Sequence, residues 1–295
     1  MALPDQRADL ADALVEMHGR NLATDGDDVA AVARRLRDVA AHVRAAELYW
    51  VSDSMARVAL DASADLPDWT PAAALPTPIG MLVWERPLPL LPVAGIPSTL
   101  WPRSALGVPQ QPKAPVSGVL WVQTGGTVRV TVLSRRSDLV DLTDWLVIPE
   151  RAAVWPSTML EDFPADALYT AASMRGTGAG FVSMLATTWL LMQQPTVATP
   201  RRVTPTQRGA SRLPSGALTG VSIIDLRRLD VVRDGADPDH PGRVYRHRWV
   251  VRGHWRQQPY GPGRTQRRPT WVPSYVKGPD GAPLLATEHV NVWRR

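Results

Sequence analysis

Two apolar runs joined by a pair of glycines constrain the fold of this 295-residue chain more than any other feature. They read SGVLWVQTGGTVRVTVLS at residues 117–134. Gly125 and Gly126 supply the positive φ angles that a two-residue hairpin turn requires. Valines alternate with polar residues in the second run, which is typical of a strand with one buried face. An antiparallel β-hairpin that packs on a hydrophobic core is therefore predicted here.

Two helices are predicted before this hairpin, at residues 4–21 and after an acidic cap at residues 25–28. The second helix carries apolar residues at alternating spacings of three and four, which is a heptad-like seam. This seam can close an intramolecular helical hairpin, or it can join two copies of the chain. The residues of the candidate homodimer seam are Val29, Val32, Leu36, Val39 and Val43.

The middle of the chain is rich in proline. Many of the 28 prolines lie between residues 67 and 115, which predicts loops and short strands rather than long helices. Residues 179–192 form an apolar run of 14 residues, too short for a membrane span, which needs ~20. A buried helix is therefore predicted near residues 180–194, and no membrane partner is expected.

Several chemistries are excluded by residue type and spacing. The chain has no cysteine, so disulfides, thiolate zinc sites and cysteine nucleophiles are excluded. Gly176, Gly178 and Gly180 follow a GxGxG spacing rather than the GxGxxG of dinucleotide-binding loops, so no cofactor is predicted. The first residues lack the basic and apolar segments of a signal peptide, and a cytoplasmic location is expected.

Charge is segregated along the chain. Residues 1–80 contain 13 Asp and Glu against 7 Arg, a net charge of −6. Residues 171–295 contain 19 Arg and Lys against 7 acids, a net charge of +12. Such asymmetry indicates a half that binds a polyanion.

The predicted fold class is α+β, with four parts. An acidic helical region spans residues 1–66, and a Pro-rich α+β region with the β-hairpin and the buried helix spans residues 67–194. Residues 195–217 carry Arg201 and Arg202 among Pro, Thr, Ser and Gly without an acid, and are predicted to be a mobile basic linker. This linker is either a solvated tether or an arm that contacts phosphates. A basic antiparallel β-module spans residues 218–295.

Within this module, residues 243–277 contain nine basic residues and no acid. From residue 245 to residue 256 aromatic and basic side chains alternate, which predicts one continuous strand with an aromatic face inward and a basic face outward. Residues 270–276 are predicted to return antiparallel. The predicted nucleic-acid-binding residues are Arg246, Arg248, Arg252, Arg256, Arg264, Arg267, Arg268 and Lys277, with Arg201 and Arg202 of the linker.

A solvated basic face is the alternative to polyanion binding, but it explains so long a run without an acid poorly, because unneutralised like charges cost stability. The aromatic residues are expected to be buried rather than available for base stacking, so the sequence does not separate DNA from RNA.

A second hypothesis is that the protein is a metal-independent, toxin-like ribonuclease. His247 and His254 would face opposite sides of a continuous strand, so no metal site is predicted. In this hypothesis His254 is the general acid or base, and Arg252, Arg256 or Lys277 stabilises the anionic transition state. Tyr260 or Tyr275 takes part in proton transfer. A third hypothesis is a structural or assembly role, in which the basic face binds an acidic partner such as the N-terminal region of another copy of the chain.

Three segments carry a resemblance to other proteins: VVRGHWRQQPYG with TWVPSYVKGP, ATTWLLMQQ, and AELYWVSDSM. With these segments the chain resembles an uncharacterised family of proteins of actinobacteria and their phages. The resemblance implies a cytoplasmic protein of phage or mobile-element origin. It implies no activity and therefore assigns no catalytic residue.

Overall fold

The computed structural model describes residues 3–17, 29–93, 103, 107–140, 148–160, 162–174, 178–203, 220–226, 246–279 and 282–283. They form a mixed α+β fold, which confirms the predicted class. The helices are α1 (Leu3–Met17), α2 (Val29–Ala45), α3 (Asp53–Ser63), α4 (Pro71–Ala74), α5 (Arg136–Val140) and α6 (Ala179–Met192). The strands are β1 (Glu47–Val51), β2 (Ile79–Pro92), β3 (Lys113–Thr124), β4 (Thr127–Arg135), β5 (Val154–Met159), β6 (Phe163–Pro164), β7 (Ala198–Val203), β8 (Val221–Leu226), β9 (Trp249–Val251), β10 (His254–Tyr260), β11 (Gln266–Val272) and β12 (Tyr275–Lys277).

One large mixed sheet organises the molecule. Its strand order is β5-β4-β3-β2-β1-β8-β7, and β6 also pairs with β4. Strand β1 runs parallel to both β2 and β8, whereas the other pairs are antiparallel. The predicted hairpin is the β3–β4 pair: Thr124 lies opposite Thr127, and Gly125 and Gly126 have φ angles of 56° and 80°. The prediction of this hairpin is confirmed.

The two faces of the sheet are covered by different helices. Leu82 and Trp84 of β2 belong to one buried core, together with residues of α3 and α6. Met81 and Val83 belong to a second core, together with residues of α1 and α2. This separation follows from the alternation of side chains along a strand, which sends neighbouring residues to opposite faces.

The heptad-like seam of α2 packs inside the molecule. Val43 is fully buried in the same core as Leu10 and Leu14 of α1, and Leu36 and Val39 are partly buried against it. The side chains of Val29 and Val32 lie outside the described residues. Packing on α1 already accounts for the inner half of the seam, and the homodimer stays a prediction.

The apolar run of residues 179–192 forms α6, and the prediction of a buried helix is confirmed. Its residues from Met184 to Met192 are buried against β2, β3 and α3 in one core. Among the residues that the structure describes, no helix combines the length and the apolar character needed to cross a membrane.

The predicted linker of residues 195–217 contains a strand. Residues 198–203 form β7, which pairs antiparallel with β8 at the edge of the large sheet. The prediction of a mobile linker is therefore wrong for these residues. Pro200 lies within β7, and an edge strand tolerates a proline because only one of its sides needs backbone donors. Residues 204–219 lie outside the described part of the chain, and the other domain boundaries stay predictions.

The C-terminal region does not contain the single long strand that the alternation predicts. Strand β9 ends at Val251 and pairs with β12, whereas β10 begins at His254 and pairs with β11. The break lies at Gly253, where a Cβ atom would come 2.5 Å from Cζ2 of Trp271. Only glycine permits this close approach of Trp271 at the break. The predicted return strand is divided in the same way, because residues 270–272 belong to β11 and residues 275–277 to β12.

Candidate nucleic-acid interface

Strands β10 and β11 form a two-stranded ribbon, which we name the basic hairpin (residues 254–272). Its register runs from His254 opposite Val272 to Tyr260 opposite Gln266. The connecting residues 261–265 turn through positive φ angles at Gly261, Gly263 and Arg264. All residues from 260 to 268 are exposed, so the distal end of the hairpin projects from the protein.

Two tryptophans anchor the base of the basic hairpin. Trp255 and Trp271 lie opposite one another, with ring centroids 5.4 Å apart in a T-shaped contact. The Trp255 indole N–H donates to the Ala62 carbonyl oxygen in α3 at 2.9 Å. The Trp271 backbone N–H donates to Gln194 Oε1, just after α6, at 2.7 Å. The inward face is therefore fixed to the ends of two core helices.

The opposite face of the basic hairpin is polar and basic. Opposed residues of an antiparallel pair share a face, and residues two apart along a strand share it too. The outer face therefore carries His254, Arg256, Gln258, Tyr260, Gln266, Arg268 and Thr270. Arg256 and Arg268 are diagonal neighbours on it, at a spacing of about 7–8 Å in such ribbons.

Tyr260 is an exposed aromatic residue on this basic face. The residue is 41% exposed, although the sequence predicts buried aromatics in this region. The Arg268 guanidinium carbon lies 5.5 Å from the centroid of the Tyr260 ring, which is a cation–π contact. The sequence does hold a signal for this position, since Tyr260 continues the even-numbered alternation of His254, Arg256 and Gln258 beyond the break at Gly253.

The segment that contains the hairpin is rich in positive charge. Residues 246–279 contain eight basic residues and no acid. Some exposed arginines elsewhere have carboxylate partners, as in Arg129–Asp162 at 2.8 Å and Arg44–Asp12 at 2.9 Å. In the part of the chain that the structure describes, Arg252, Arg256 and Arg268 form no salt bridge. The field above the outer face is therefore positive.

The contacts of His254 are relevant to the ribonuclease hypothesis. His254 Nδ1 lies 3.2 Å from the Arg252 carbonyl oxygen. A carbonyl only accepts, so Nδ1 carries the proton in this contact and Nε2 holds the lone pair of the neutral ring. Arg256 and Tyr260 share the outer face with His254, whereas Lys277 belongs to the separate β9–β12 pair.

The remaining predicted residues of the module have other surroundings. Arg246 is exposed just before β9. Arg248 is partly buried, and its Nε donates to the Ala282 carbonyl oxygen at 2.8 Å. Arg264 and Arg267 lie at the exposed tip of the hairpin, where Arg267 Nη1 donates to the Arg264 carbonyl oxygen at 2.8 Å. Arg267 has the parity of Trp271 and therefore belongs to the inward face, at its exposed distal end. Arg264 lies in the tip, and neither Arg248 nor Lys277 lies on the outer face.

Arg201 and Arg202 lie on the edge strand β7. Because neighbouring side chains of a strand point to opposite faces, Arg202 shares the face of Ala198, which is buried in the same core as Trp271. Burial raises the pKa of Tyr49 in this core to about 12, against a smaller lowering by the positive charge of Arg202. Arg201 faces the other side of the sheet, so the two arginines do not converge.

The described residues also contain a pocket of about 160 Å³ between the end of α3 and the start of α6. It is lined by Ser63, Trp69, Thr170, Met174 and Ser183 with their neighbours, and by none of the predicted site residues. Within the described residues, no three His, Asp or Glu side chains cluster closely enough to hold a metal ion.

Comparisons with known proteins add little to this geometry. No protein-family model matches the chain, and no curated protein matches it. Among solved structures, the chain is similar to the crystal structure of AcrVA2, with a TM-score of 0.40 and 14% sequence identity. The similarity covers 90% of this chain and 82% of that one. At this TM-score it supports no conclusion about function, and the resemblance to actinobacterial and phage proteins stays a prediction.

Proposed function

We propose that the protein binds nucleic acid through the outer face and tip of the basic hairpin. The observation that carries the proposal is the arrangement of Arg256 and Arg268 on one exposed face, with Arg264 and Arg267 at the adjoining tip. Arg252 is exposed just before the hairpin, and within the described residues none of these five arginines forms a salt bridge. A polyanion would relieve the repulsion among these charges and release its own counterions on binding.

The anchoring of the hairpin supports the proposal. Trp255 and Trp271 hold its base against α3 and against Gln194 just beyond α6, whereas its distal end is exposed on both sides. A ribbon that is rigid at its base loses little conformational entropy when its arginines bind a ligand. Such a ribbon can also approach phosphates from more than one side.

A second candidate function is metal-independent cleavage of RNA, as the sequence suggests. It is favoured by the contact of His254 Nδ1 with the Arg252 carbonyl, which leaves Nε2 available as a proton acceptor beside Arg256. General-base catalysis needs such an acceptor, and an adjacent guanidinium can stabilise a developing negative charge.

The binding proposal is tested by reversing charge on the outer face. We expect Arg256→Glu/Arg268→Glu to weaken binding of a fluorescein-labelled oligonucleotide at least about tenfold at 0.1 M salt, because two phosphate contacts become repulsions. Fluorescence anisotropy measures the affinity.

The matched control is Arg86→Glu/Arg135→Glu, which changes the net charge equally. Both arginines are exposed and lie outside residues 246–279, and Arg86 forms only a long surface contact with Asp53, at 3.8 Å. Affinity should stay within about threefold of wild type, because non-specific charge alone changes it little when the contact lies elsewhere. Equal losses in the two double variants would contradict binding by the hairpin.

A further inference from the structure

The outer face of the basic hairpin combines arginines with an exposed aromatic ring, and these bind different parts of a nucleic acid. Arginines bind phosphates of any nucleic acid, but an exposed aromatic ring finds a partner only where a base face is accessible. In a duplex each base is stacked between its neighbours, so a ring on a protein surface meets edges and sugars instead. An exposed Tyr260 therefore favours single-stranded over double-stranded nucleic acid.

Tyr260 is placed to act as a stacking platform. It is the last residue of β10, next to the tip, and the residue is 41% exposed. Arg268 lies over the ring at 5.5 Å, which restrains the ring and places a positive charge beside it. A base on the exposed part of the ring would have its phosphate within reach of Arg268 or of Arg264 at the tip.

The neighbouring residues suit an unpaired base. Gln258 and Gln266 share the outer face with Tyr260, and each side-chain amide can donate and accept. Unpaired bases expose hydrogen-bonding edges that a duplex uses internally. We infer that the basic hairpin binds single-stranded nucleic acid in preference to duplex, with a base stacked on Tyr260; this inference rests on the proposed function.

The test compares a labelled 20-nucleotide DNA strand with no self-complementarity, its 20-base-pair duplex and an RNA strand of the same sequence. We expect the wild-type protein to bind the single strands more tightly than the duplex. Tyr260→Ala should weaken single-strand binding about tenfold or more, and duplex binding less than about twofold, because stacking on an aromatic ring contributes only to the former. Whichever single strand binds more tightly, DNA or RNA, is the type of nucleic acid that the hairpin prefers.

Tyr260→Phe is the matched variant, because it keeps the ring and removes only the hydroxyl group. It should bind single strands within about twofold of wild type. Circular dichroism and thermal unfolding check that each variant is folded, which the exposed position of Tyr260 favours.

The possible failures are distinguishable. The inference is overturned if the wild-type protein prefers the duplex. It is also overturned if Tyr260→Ala weakens binding of single strands and duplex equally, or weakens neither. The proposed function then survives if Arg256→Glu/Arg268→Glu still weakens binding. Absence of binding to all three oligonucleotides overturns the proposed function, and the inference with it.

Discussion

His254 would have different roles in a binding protein and in a ribonuclease. Its Nδ1 contact with the Arg252 carbonyl fixes the proton on one nitrogen and leaves the other as an acceptor. In a binding face this nitrogen only adds a polar contact to the ligand. In a ribonuclease it removes the proton from the attacking 2′-hydroxyl group, so its loss affects the rate far more than the affinity.

We expect His254→Ala to abolish any RNA cleavage by the wild-type protein in EDTA while leaving RNA affinity within roughly tenfold, since a general base contributes about 10²–10⁴ in rate and little to ground-state binding. The measurement is gel analysis of labelled RNA alongside anisotropy. His247→Ala is the control, because His247 is exposed but lies outside the hairpin. RNA that stays intact with wild-type protein at high concentration would exclude the ribonuclease reading.

Single residues also show where local sequence patterns stop being informative. The alternation at residues 245–256 continues through Gly253 without interruption, so it predicts one strand. At the break Gly253 packs against Trp271, which is close in space but 18 positions further along the chain. A contact between distant residues leaves no local periodicity, and the division into β9 and β10 could not be predicted.

Among the elements, the basic hairpin depends on the core for its position. Two-stranded ribbons are marginally stable alone, so the docking of Trp255 and Trp271 supplies the stability that holds β10 and β11 together. Trp271 is only 6% exposed and belongs to the core formed by α3, α6 and the sheet. Its contact therefore couples the candidate interface to the folded protein.

We expect Trp271→Ala to lower the free energy of unfolding by roughly 3–5 kcal/mol, because it removes a large buried side chain and leaves a cavity. Amides of β10 and β11 should then exchange with solvent faster. Denaturant unfolding and hydrogen exchange measure the two effects. Tyr260→Ala on the opposite face is the control and should change stability by less than about 0.5 kcal/mol. Similar losses in the two variants would contradict the anchoring.

Elements with strong local signals are the ones that the sequence predicts. Paired glycines identify the β3–β4 turn, and an uninterrupted apolar run identifies α6, because both depend on nearby residues. Strand β7 was predicted as linker because its Pro and Arg content is typical of loops. Its order comes from pairing with β8 across a sequence gap, which composition does not encode. The sequence predicts the arginines of the outer face and names Tyr260 as a candidate site residue, but it does not predict the exposure of Tyr260, which depends on the fold.

At the scale of the whole molecule, the large sheet separates the N-terminal helices from the basic hairpin. Helices α1 and α2 pack on one face, and Trp255 and Trp271 pack with α3 and α6 on the other. The helix α1, with Asp5, Asp9, Asp12 and Glu16, therefore does not cover the hairpin of its own chain.

If arginines of the basic hairpin neutralise phosphates, the affinity for nucleic acid must fall as the salt concentration rises. If Arg252, Arg256, Arg264, Arg267 and Arg268 each release one counterion from a single strand, the slope of log affinity against log salt is about −3.5, and affinity falls about a hundredfold between 50 and 200 mM salt. Arg256→Gln/Arg268→Gln should reduce the slope to about −2 and the loss to about twentyfold. A wild-type affinity that barely changes with salt, or a slope that this double variant leaves unchanged, would contradict the account.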